Sequence, residues 1–82
     1  MNTAEAIATI LRHSEIHCPI HGTVEIAVRP ILSDATLTWF ASVDVVMSNG
    51  VVPWWPCTRG AKTADGAIAA LAKEIIAERK AA

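Results

Sequence analysis

The hydrophobic period changes twice along this chain, and that change limits the folds it can adopt. From Val24 to Val28, and again from Leu37 to Val45, apolar residues recur at every second position. Such alternation marks strands buried on one face. On either side the spacing is helical. Residues 2–14 carry Ala4, Ile7, Ala8 and Leu11 as a predicted apolar stripe, with Asn2 and Glu5 in a capping-box arrangement and Thr3 as a competing cap. From Ala64 to Lys80 the stripe is Ile68, Leu71, Ala72 and Ile75, with Thr63 as cap and Asp65 in the favoured first turn.

The strands divide at turn signals. Val24, Ile26 and Val28 form the first alternating set, and Pro30 either ends that strand or marks it as an edge. Ser33 and Asp34 supply a turn. Leu37, Trp39, Ala41, Val43 and Val45 then face one side, with Thr36, Thr38, Phe40, Ser42 and Asp44 on the other. Asn49-Gly50 is a strong hairpin signal because both residues tolerate positive φ. The third strand, VVPWWPC, carries prolines and is expected at an edge. The predicted fold is a single α+β domain over residues 1–82. Its order is αβββα, with a three-stranded antiparallel sheet and both helices packed on one face.

This order resembles the double-stranded-RNA-binding-domain fold over nearly the whole chain. That family binds RNA through a lysine-rich start to its second helix and a histidine-bearing loop between its first strands. Here the helix opens KTADGA and the loop reads LSDA, so the RNA-binding residues do not carry over. The segment CTRGAKTADGAIAAL, from Cys57 to Leu71, resembles the strand-to-helix junction of HicB-type antitoxins. That likeness implies a homodimeric, antitoxin-like regulator. In size and character the chain is also similar to phage-encoded inhibitors, anti-CRISPR proteins among them. These are compact proteins that mask a surface of a larger assembly.

Eighty-two residues are near the limit at which one core suffices, so little stability is left for a strained catalytic cleft. The net charge of −1 argues against binding nucleic acid, which needs a basic face to displace counterions. Arg29, Arg59 and Lys62 are the residues a nucleic-acid-binding rival would use. No stretch reaches the length of a membrane span, and the N-terminus does not read as a secretory signal. A cytoplasmic protein is expected, in the host cytoplasm if phage-encoded, with Cys18 and Cys57 as free thiols.

Counting the hairpin from Asn49 and Gly50 as the turn pairs Val45 with Trp54 and Asp44 with Trp55. Trp54 is then expected in the core. Trp55, Phe40, Pro53 and Asp44 are expected on the open sheet face, as a docking surface for a protein partner or a second copy; the alternative is that Trp55 folds over the sheet edge and covers Pro56 or the helix junction. Indoles carry much of the energy at such interfaces. His17, Cys18 and His21, with distant Cys57, have the letters of a small structural zinc site. No other cofactor is implied. The carboxylates are scattered, no phosphate loop occurs, and nothing orients a base beside either cysteine. The expectation is a non-catalytic binding protein that inhibits or regulates a larger assembly.

Overall fold

A computed structural model describes residues 2–56 and 59–81. The order is α1 (Thr3–His17), β1 (Thr23–Ser33), β2 (Thr36–Met47), β3 (Gly50–Trp55) and α2 (Ala64–Ala81). The strands form one antiparallel sheet in the order β1-β2-β3. Both helices contribute to the core on one side of that sheet. The α+β class and the αβββα order are those the periodicity predicts.

Asn2 caps α1: its side chain accepts from the Glu5 amide at 2.8 Å and donates to the Glu5 carboxylate at 2.9 Å. Thr63 caps α2 by accepting from the Gly66 amide at 2.9 Å. The apolar stripe of α2 is buried throughout. That of α1 keeps only Ile7 of the predicted set, packed against the core. Ala4 and Ala8 are exposed, Leu11 is 40% exposed, and the buried residues are Ala6, Ile10, His13 and Ser14. Helical spacing allows both stripes. The observed one is selected because His13 has aromatic partners waiting on β3, and Ser14 satisfies its hydroxyl on the Ile10 carbonyl at 2.8 Å.

The β1–β2 turn falls on Asp34 and Ala35, both with positive φ (49° and 61°), one residue beyond the predicted pair. The long ladder between β1 and β2 has no irregularity and includes Pro30 opposite Trp39. Pro30 fits because Trp39 gives its backbone to the other side. Its amide donates to the Ala61 carbonyl at 2.8 Å, and its carbonyl accepts from the Ala61 amide at 2.9 Å. The missing Pro30 donor therefore faces the free edge, where it costs the ladder nothing.

The second hairpin corrects the predicted register. It closes over Ser48 and Asn49, so that Met47 pairs with Gly50, Val45 with Val52 and Asp44 with Pro53. Gly50 has φ 146°, so the positive-φ position is real but belongs to the first residue of β3. A turn displaced by one residue moves the pairing by two, which preserves which face each side chain occupies. A bulge between Val43 and Asp44 then leaves Trp54 without an opposite number and pairs Trp55 with Val43. That single extra residue turns Trp55 to the helix side. The core comprises Ala6, Ile10, Ala41, Val43, Ala67, Ile68, Leu71, Ala72 and Ile75, with Trp39, Trp54 and Trp55 packed against it.

Candidate functional site

The residues expected to form one docking surface divide between two sides of the sheet. Pro53 and Asp44 pair directly, and Phe40 follows Asp44 at even spacing on β2, so these three share the face opposite the helices. Trp55 leaves them. Its ring meets His13 edge-on at 5.7 Å and Trp54 edge-on at 5.7 Å, while Trp54 stacks on His13 at 5.7 Å. Both indoles are half-buried among the core residues. The premise for a docking surface centred on Trp55 is therefore gone.

Two of the three remaining residues are covered by their neighbours, while Pro53 stays exposed. Asp44 is only 5% exposed; it accepts from Ser42 Oγ at 3.1 Å and pairs with the Arg29 guanidinium at 3.4 Å. Arg29 reaches it across small neighbours, Ala27 and Ser42, which are paired between them. Phe40 is half-buried because the chain returns beside it after β3. Ala61 bridges to Trp39, and a Cβ at Gly60 would stand 3.0 Å from Phe40 Cζ. Only glycine allows the chain so close to the phenyl ring, and the ring in turn shields that backbone.

The three cations do not converge. Arg29 lies on the face away from the helices, tied to Asp44. Arg59 lines a groove beside α2 with Gly66, Ala69, Ala70, Lys73 and Glu74. Lys62 is exposed just before α2.

The histidine and cysteine residues fall into two pairs. The helix runs on to His17, so that His13 and His17 stand one turn apart with ring centroids at 4.6 Å. Cys18 is a free thiol whose sulfur approaches the Ile20 carbonyl at 3.7 Å. It lines a shallow depression with Glu15 and His21, which neither His13 nor His17 lines. Cys57 lies outside the described residues. Among the described residues no group of three histidine, cysteine or carboxylate side chains is placed to hold a metal ion, and no helix is long and apolar enough to cross a membrane.

A different surface stands out. Leu32 and Leu37 pair across the β1–β2 ladder next to the turn and are 72% and 49% exposed; neighbouring Ile31 is 49% exposed. The core takes Val28 from β1 and Trp39 from β2 and no residue between them. The end of the hairpin therefore projects past the packed part of the molecule. The alternation puts Leu37 on the same side of β2 as Trp39 and Val43. It has the right face but lies too far along the strand for a helix to cover it. The one sequence signal for this surface is Ile31-Leu32: adjacent apolar residues in a strand cannot both face a one-sided core.

Comparison with protein-family models, with curated protein sequences and with solved structures finds no match.

Proposed function

We propose that this chain is a non-catalytic binding protein that docks onto a protein partner through the end of its β1–β2 hairpin. Inhibition or regulation of a larger assembly, in the manner of a small phage-encoded inhibitor, is the role this reading serves. The observation that carries it is the exposed cross-strand pair Leu32–Leu37, continued by Ile31. Apolar side chains clustered on a projecting element are a recurrent mark of interaction sites. Ile31 pairs with Thr38, diagonal to Phe40 on the same face, so the apolar surface wraps around the hairpin end.

A regular ladder of paired residues holds this element rigid, which lowers the ordering cost of association. Its turn adds the carboxylate of Asp34 and the hydroxyls of Ser33 and Thr36, a polar rim around an apolar centre. The test is affinity capture from the native host with wild type and a Leu32→Asp, Leu37→Asp variant, each washed at low and high salt. A partner retained by wild type at both salts and lost by the folded variant is the expected result. Retention by both proteins contradicts the reading. Capture that collapses at high salt points instead to nucleic acid, whose binding is driven by counterion release.

A further inference from the structure

Among the described residues the outer edge of β1 is the longest unpaired strand edge. β2 covers one side of the 11-residue strand, and no described element pairs with the other. Proteins normally guard such an edge with charges, bulges or prolines. Here the ladder is regular, Pro30 guards one end, and the two charges on the strand, Glu25 and Arg29, are of opposite sign. Because the two residues flanking a two-residue turn form a hydrogen-bonded pair, bonding toward β2 alternates from Ser33 inward. Trp39 engaging Ala61 rather than Pro30 fits that phase. Val24, Ile26 and Val28 consequently turn their backbone groups outward, with Ala27 between the last two. The side chains of Val24, Ile26 and Val28 also line an open groove of about 430 Å³ with Ile7, Leu11 and Ile68, apolar except for Glu25.

We infer that a second copy of this chain occupies the edge, its β1 antiparallel to the first about a two-fold axis at Ala27. The charges select this occupant and this register. Glu25 and Arg29 lie two residues to either side of Ala27 on one face of the strand, and the Arg29 guanidinium, although it holds Asp44 at 3.4 Å, stays 67% exposed. The two-fold therefore sets Glu25 of each copy opposite Arg29 of the other. Axes at Glu25 or Arg29 would oppose like charges, and axes at Ile26 or Val28 would leave neither charge facing an opposite one. In the chosen register Ile26 faces Val28 of the second copy, and both exchange backbone hydrogen bonds. Val24 meets Pro30, which forfeits its donor while its carbonyl still accepts. The result is a six-stranded sheet with the apolar grooves meeting beneath its centre.

The pairing uses a surface distinct from the Leu32–Leu37 pair, so each proposal can fail alone.

The test is sedimentation velocity on wild type, Glu25→Arg, Arg29→Glu and an equimolar mixture of the two variants, with folding checked by far-UV circular dichroism. Wild type is expected to form a dimer. Each variant alone opposes like charges twice and should associate about tenfold more weakly or worse. The mixture restores both opposite-charge pairs and should dimerise. A wild type that stays monomeric at every concentration, or single variants that associate as tightly as wild type, would overturn the proposal. Should either variant fail to fold, amide hydrogen exchange on wild type decides. Protection at Val24, Ile26 and Val28 that rises with protein concentration supports the dimer, and fast exchange at all concentrations refutes it.

Discussion

Trp55 stands opposite Val43 in the β2–β3 ladder, one place nearer the turn along β2 than its sequence neighbours would allow in a regular hairpin. The bulge at Trp54 accounts for the offset. It brings two adjacent indoles to the helix side, where both meet the buried imidazole of His13.

Replacing Trp55 with alanine should therefore damage the fold. Removal of a half-buried indole is expected to cost about 2–3 kcal/mol, read as a lower urea midpoint at unchanged slope. Because Trp54 and Trp55 touch edge-to-face, the Trp54→Ala, Trp55→Ala double-mutant cycle should show coupling of about 1 kcal/mol.

His13 packs between both indoles and His17 while only 5% exposed. His13→Ala should cost about 2 kcal/mol through the space it leaves. Water then gains access to the indoles, so tryptophan emission of the folded variant should move to longer wavelength.

Ala35 holds φ 61° in the β1–β2 turn, next to Asp34 at φ 49°. An alanine there carries a steric cost of roughly 1 kcal/mol that glycine does not. Ala35→Gly is expected to raise the thermal midpoint, although glycine lowers stability at most sites. A lower midpoint would mean that the turn does not adopt this geometry.

Gly60 passes against Phe40 and Thr38, leaving no room for a Cβ. Gly60→Ala should push the returning chain off β2 and weaken the Trp39–Ala61 bridge. The expected reading is faster amide exchange at Trp39 and Ala61 and a loss of about 2 kcal/mol.

Much of this architecture is readable from the residues. Period-two alternation locates β2, Thr63 and the Ile68–Leu71–Ile75 stripe locate α2, and the prolines correctly place β1 and β3 at edges. Two features escape such reading for a definite reason. The bulge at Trp54 leaves no mark in the hydrophobic pattern, because WW reads the same whether one ring or both turn inward. The choice between the Ala4–Ile7–Ala8–Leu11 and Ala6–Ile10–His13–Ser14 faces of α1 depends on partners from β3 that spacing cannot express. The expected docking surface rested on the first of these, so Trp55 was misplaced while Phe40, Pro53 and Asp44 were assigned to the correct face. The hairpin end was legible only in part. Ile31-Leu32 announces an exposed apolar residue, but how far the helices reach along the sheet follows from packing alone.

Site-specific photocrosslinking in the native host addresses the docking role most directly. A photoreactive residue replacing Leu37 should yield one discrete protein adduct, lost when Leu32→Asp is added, while the same residue at exposed Lys73 on α2 should yield none. An identical adduct from both positions, or no adduct from Leu37, would contradict a partner bound at the hairpin end.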